Sequence, residues 1–320
     1  MNMQIASRHA RSTRNASSLK SLSTLALAVV GVLCGASPAW ATPLLGSDLA
    51  SFTVLGASTV SNIPTSTIVG NVGVWSSGGA NAITGFLSSP GVAVSDPQVT
   101  GGQVHAGTAV AQSAQAQLTT AITNLGSLGP GTLLAADLVG LTLFPGVYTV
   151  PAGITNLSGA LTLDGQGNAN AAWVFQMPST LITSPNSVVN VINTGSGAGV
   201  YWNVGSSATI DVNTTFLGNI LALASITMNT TATDLCGRAL ADTGAVTLDH
   251  NSLGLCTGIL AGSGGLSGGL DVITTPGGAT QVVFLPDAPV NGGGSVPEPA
   301  TLALLGLGLA GLGFARRHHG

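Results

Sequence analysis

Residues Ser207 to Ala224 can be laid over Ser225 to Asp242, a repeat with a period of eighteen. A unit this short cannot bury an apolar side by itself, so repeats of it must stack on one another, as the coils of a β-solenoid do. Within the units recurs an element of Thr, an apolar residue, then Asp or Asn. It appears as Thr162-Leu163-Asp164, Thr209-Ile210-Asp211, Thr227-Met228-Asn229 and Thr247-Leu248-Asp249. Side chains alternate faces along a strand, so Thr and Asp/Asn point outward while the apolar residue points into the coil. Stacking then turns Thr162, Thr209, Thr227 and Thr247 into a ladder with rungs roughly 4.8 Å apart. A second group, with Thr215 and Thr233 in it, follows each element at a turn and forms a competing row. The Asp and Asn positions are turn formers, since these residues tolerate left-handed backbone and bond nearby amides.

Charge is nearly absent between the two ends. From Thr42 to Ser295 there are ten Asp, no Glu, no Lys and one basic residue, Arg238. Such a surface offers no footprint for a phosphate backbone, which excludes nucleic acid as a partner. Mean hydropathy is high, yet Gly, Ser, Thr, Asn or Pro breaks every apolar run before it reaches the length of a membrane helix. The combination reads as a mostly β protein with many tight turns.

One helix interrupts the strands. Ser95-Asp96-Pro97 offers a start and Gly126 a stop. Val104, Gly107, Ala111, Ala114, Leu118, Ala121, Ile122 and Leu125 recur between them at helical spacing, which predicts a helix over about 97–125. Its Ala-rich stripe would let it lie close to a sheet. Cys236 and Cys256 remain after the N-terminal segment is removed, an even count in an oxidising compartment, and are expected to form a disulfide.

Both ends read as sorting signals. Arg8, Arg11, Arg14 and Lys20 precede an apolar run from Leu22 to Cys34 and the triplet Ala39-Trp40-Ala41, the order of a secretory signal peptide over 1–41 with cleavage after Ala41. At the other end, Pro297-Glu298-Pro299 precedes an apolar helix at 300–315 and the pair Arg316-Arg317. Over 296–320 this resembles the PEP-CTERM sorting signal. The resemblance implies an exosortase-type processing enzyme as a partner, removal of the tail, and release or attachment at the cell surface. Residues 258–295 read as a Gly-rich linker with a strand at Val282 to Leu285.

Several motifs fall in order along 42–257: Leu49 to Val60, Ile68 to Val74, Ile83 to Phe86, Phe144 to Tyr148, Val200 to Thr209 and Gly237 to Asp249. Together they resemble the ice-binding-like family. That resemblance implies a right-handed, three-sided, discontinuous β-helix with one long α-helix packed alongside, and a flat Thr-rich face acting on an ice crystal surface. Thr suits such a face because its methyl group favours leaving bulk water while its hydroxyl can join an ordered water layer. Asp211, Asn229 and Asp249 stand where a second Thr would complete a regular array, which weakens the expected activity of that ladder.

An enzyme is not expected. His105, placed in the helix, and His250, in a turn, have no nucleophile motif beside them. No cofactor and no metal site is expected, because the Cys pair lacks His at ligand spacing and the Asp turns lack a ligand-dense calcium loop. The rival reading is a surface adhesin or matrix component binding an extracellular polysaccharide or other cells. Against it, Trp75, Trp173, Tyr201 and Trp202 are few and strand-bound. The chain is expected to act as a monomer.

Overall fold

The computed structural model describes residues 41–254, 256–275 and 278–290. The predicted signal segment and the sorting residues Pro297, Glu298, Pro299, Arg316 and Arg317 lie outside them. Nearly every strand pairs in parallel and in register with a strand from another turn of the chain. Six strands make one sheet, in the order Leu181–Ile182, Ala208–Ile210, Ile226–Met228, Val246–Asp249, Val60–Ile63, Ile83–Thr84. We call it the six-strand face. The second path runs Thr142–Leu143, Ala160–Asn168, Val188–Thr194, the start of Thr215–Ala222, the start of Thr233–Ala241, Ser252–Leu253, Thr67–Val69 and Val99–Thr100, the eight-strand face. Thr215–Ala222 and Thr233–Ala241 shift register after Phe216 and continue onto a third side. There they join Gly146–Thr149, Ala172–Met177, Gly199–Val204, Phe52–Gly56 and Asn71–Val74.

The order in the stack is not the order in the chain. Val246–Asp249 pairs with Val60–Ile63, and Ser252–Leu253 with Thr67–Val69, so the N-terminal coil completes the stack begun by the C-terminal one. Inward side chains carry the core, among them Ile210, Met228, Val246, Leu248 and Val60, all fully buried. Four coils turn from the six-strand to the eight-strand face through one residue in left-handed backbone, Asn186, Asn213, Thr231 or His250, with φ from 53° to 63°. Their amides form a ladder of their own, Asn213 N–H donating to Thr230 O and Thr231 N–H to Asp249 O.

The helix Ala109–Gly126 covers the third side. Ala111, Ala114, Leu118, Ala121 and Leu125 are buried against Phe52, Leu55, Val174, Tyr201, Leu221 and Leu240. It starts twelve residues later than the predicted 97. Gly101 and Gly107 take left-handed backbone, which ends any helix, and Thr108 is the true cap, its Oγ1 accepting from Ala111 N–H at 3.2 Å. Asp96 instead ties a loop, accepting from Gln98 N–H at 2.7 Å and Leu87 N–H at 2.6 Å. Val104 and His105 therefore lie in a strand, Val104–Ala106. His105 is buried edge-on to Phe52, and burial holds its pKa below the ordinary value.

The predicted linker is also corrected. Leu260, Leu266, Leu270 and Val282 are buried, and Ala41–Pro43, Leu270–Thr274 and Thr280–Phe284 form an antiparallel three-stranded sheet. Gly-rich composition hid Leu260, Leu266 and Leu270 because mainly Gly and Ser stand between them; the strand read at Val282 to Leu285 is present as Thr280–Phe284. Residues 258–275 and 278–290 thus belong to the folded unit, and 257 is not its boundary. A disulfide joins Cys236 to Cys256. No helix among the described residues is long and apolar enough to cross a membrane.

Candidate functional site

Two flat faces carry outward Thr, and the structure sorts the predicted residues between them. On the six-strand face, Thr209, Thr227 and Thr247 stand in register and continue through Ser61 and Thr84. Thr162 does not join them. It lies on the eight-strand face between Thr142 and Asn190. The reason is coil length. Register partners are 28 residues apart from Ala160 to Val188 and 27 from Val188 to Thr215, but 18 from Thr215 to Thr233 and 19 from there to Ser252. The Thr-apolar-Asp element marks strand alternation, and in the longer coils it falls on a different side.

Thr215 and Thr233 also lie on the eight-strand face, in a row running Ala160, Val188, Thr215, Thr233, Ser252, Thr67. Beside it run Thr142, Thr162 and Asn190. All of these side chains are exposed or half-exposed, while the alternating Leu161, Val189, Phe216, Leu253 and Ile68 are buried. Seven intervals of about 4.8 Å make the face roughly 34 Å long. Sequence reasoning missed Thr67 and Thr142. Thr67 reaches this row only because the N-terminal coil stacks on the C-terminal one, a long-range event with no local signal.

Electrostatics separate the two faces. The six-strand face bears Asp211, Asn229 and Asp249 beside its Thr row. Asp211 accepts from Val212 N–H at 2.8 Å and from the Asn229 amide at 2.9 Å. Asp249 accepts from the Thr230 hydroxyl and touches His250 Nδ1 at 2.5 Å, and these partners hold its carboxyl below the ordinary range. It is therefore ionised at neutral pH and keeps a hydration shell. The two rows of the eight-strand face hold only Ala, Val, Ser, Thr and Asn. Asp164, two residues beyond Thr162, is turned to Gln166 N–H and the Asn193 amide. Asp234, next to Thr233, points inward in register with Phe216 and Leu253 and is fully buried, and burial raises its pKa well above the ordinary carboxylate range. Among the described residues, no three His, Cys, Asp or Glu side chains come together as a metal site would need.

The family model described as ice-binding-like matches residues 54–254, which includes every residue of these rows. The chain belongs to the ice-binding-like family. Residues 295–317 match the PEP-CTERM protein-sorting motif. An ice-binding protein of Nostoc sp. (strain HG1) is 45% identical over 204 residues, 63% of this chain and 71% of that protein. Ice-binding protein K3-B1 of Typhula ishikariensis is 33% identical, over 67% of this chain and 88% of that one. Among solved structures, an ice-binding protein from the Antarctic ascomycete Antarctomyces psychrotrophicus superimposes with a TM-score of 0.58 at 34% identity, covering 68% of this chain and all of that one.

Proposed function

We propose that this family member is an ice-binding protein, exported and held at or released from the cell surface, that acts through its eight-strand face. The reading is that of a right-handed, three-sided, discontinuous β-helix whose coils present that face as one rigid plane. The observation that carries it is the pair of uncharged rows containing Thr67, Thr142, Thr162, Thr215 and Thr233 on seven of the face's eight parallel strands. Methyl groups in these rows favour leaving bulk water, and the hydroxyls can complete an ordered water layer between them. Carboxylates would hold water in their own geometry instead, so the six-strand face is the poorer candidate although its Thr spacing is as regular.

On this reading the protein works as a monomer, without a cofactor and without catalysis. The motif at 295–317 supports processing by an exosortase-type enzyme, after which the domain is attached or freed. Inhibition of ice recrystallisation by the exported chain, compared with Thr215→Tyr/Thr233→Tyr and Thr209→Tyr/Thr227→Tyr, tests the proposal. The first variant is expected to lose at least tenfold in potency and the second to stay within twofold of the parent. A folded parent with no activity sinks the ice reading and favours a surface adhesin that binds polysaccharide.

A further inference from the structure

The residues the eight-strand face leaves unexplained include Arg238, the one Lys or Arg between Thr42 and Ser295. Arg238 is almost fully buried, and its partners in register across the third side are Asn219 and then Tyr201, one row on three adjacent strands. Each of the three turns toward the same short piece of backbone. Arg238 Nη2 donates to Gly264 O at 2.7 Å and Nη1 to Gly265 O at 3.3 Å. Asn219 Nδ2 donates to Leu266 O at 2.8 Å, and the Tyr201 hydroxyl lies 2.5 and 2.8 Å from the carbonyls of Ser267 and Gly268. Five consecutive carbonyls, Gly264 to Gly268, are thus met by three side chains. Between them Leu266 is fully buried and in left-handed backbone, and its neighbours are small enough to lie flat.

Arg238 also reaches Asn219 Oδ1 and Ala50 O, both at 2.7 Å, so the row is braced from two further directions. Beyond this segment the chain crosses the antiparallel sheet and is pinned once more, at the corner where the eight-strand face meets the helix-covered side. There Asn168 Nδ2 donates to Asp287 Oδ1 at 2.6 Å, Asn170 Nδ2 to Pro286 O at 2.9 Å and Val290 N–H to Gly167 O at 3.0 Å.

We propose that the Tyr201–Asn219–Arg238 row is a peptide-holding site whose ligand is the chain's own Gly264–Gly268 segment, and that this hold fixes where the tail leaves the domain. Recognition is of backbone carbonyls by a planar guanidinium fork, an amide and a phenol, with Leu266 as the one side-chain anchor. The strap 258–290 then opens and closes as a unit distinct from the coil stack. Its exit lies at an edge of the eight-strand face, not within it, so a copy held by its tail keeps that face open. This last use rests on the reading of the tail as a surface attachment.

Hydrogen exchange on the exported chain, in solution and without ice, tests the site separately from that reading. In Tyr201→Phe, which keeps the ring and loses one hydroxyl, the amides of Gly268, Leu285 and Val290 are expected to exchange about tenfold faster, and those of the 208–210 and 226–228 strands at the parent rate. Arg238→Lys, which keeps the charge but loses the fork, is expected to move the same amides further. Strap amides unchanged in both variants, or strap and coil amides accelerating together, would overturn the proposal. Because neither residue is on the eight-strand face, ice activity is expected to survive in both variants.

Discussion

Thr231 turns its coil in left-handed backbone at φ 63°, the place that Asn213 and Asn186 take in neighbouring coils. A β-branched side chain is a poor tenant of this region, where crowding of Cβ against the following carbonyl costs roughly 1–2 kcal/mol. Asn tolerates it far better. In return the Thr231 hydroxyl is shared, on the exposed surface, between Asn213 Oδ1 and Thr230 O, an interaction worth about 0.5 kcal/mol. Thr231→Asn therefore removes more strain than it loses bonding, and it places at this corner the residue type found there at Asn186 and Asn213. A net gain of about 1 kcal/mol is expected, or roughly 2–4 °C in Tm for a domain of this size. Urea unfolding by circular dichroism, with thermal melting beside it, measures the change. A variant that melts lower than the parent would refute the strain argument and show that the Thr231 hydroxyl outweighs its backbone.

Other outcomes follow from the same geometry. Cys236→Ser/Cys256→Ser opens a loop of 20 residues and is expected to cost about 3 kcal/mol by chain entropy, read as a lower urea midpoint with the far-ultraviolet spectrum unchanged. Truncating Ile210, fully buried beneath the six-strand face, to Ala is expected to cost about 2–5 kcal/mol, measured by the same unfolding curves. The Asp249 carboxyl is held below its ordinary value by Thr230 and His250. Its contribution is therefore present above the unfolded value near 4 and lost as pH falls through the lower folded value. Stability curves of the parent and Asp249→Asn should differ at neutral pH and converge in acid; a constant gap would contradict the assignment.

The parts legible in the sequence were those set by local periodicity. Alternation placed Thr209 outside and Ile210 inside, and the eighteen-residue repeat put Thr209 over Thr227. The Ala stripe located the helix that covers the third side, but Pro97 misplaced its start, because a Pro and an Asp serve a tight loop as readily as a helix cap. Thr162 was assigned to the wrong side because its coil is 28 residues long to its partner, and strand alternation carries no information about which side a strand occupies. Composition also hid the first part of the strap, where Leu260, Leu266 and Leu270 are separated by glycines. What fixes its path is the row of Tyr201, Asn219 and Arg238, assembled from three coils, and no local signal joins those residues to Gly264–Gly268.

The central claim is that the uncharged eight-strand face, and not the regular Thr row of the six-strand face, meets ice. Growing a single ice hemisphere slowly from solutions of fluorescently labelled parent, Thr215→Tyr/Thr233→Tyr and Thr209→Tyr/Thr227→Tyr tests it most directly. The account predicts that the parent and the six-strand variant are taken into the ice on defined planes while the eight-strand variant is left in the liquid. Uptake of the eight-strand variant at the parent level, with the six-strand variant excluded, would contradict it.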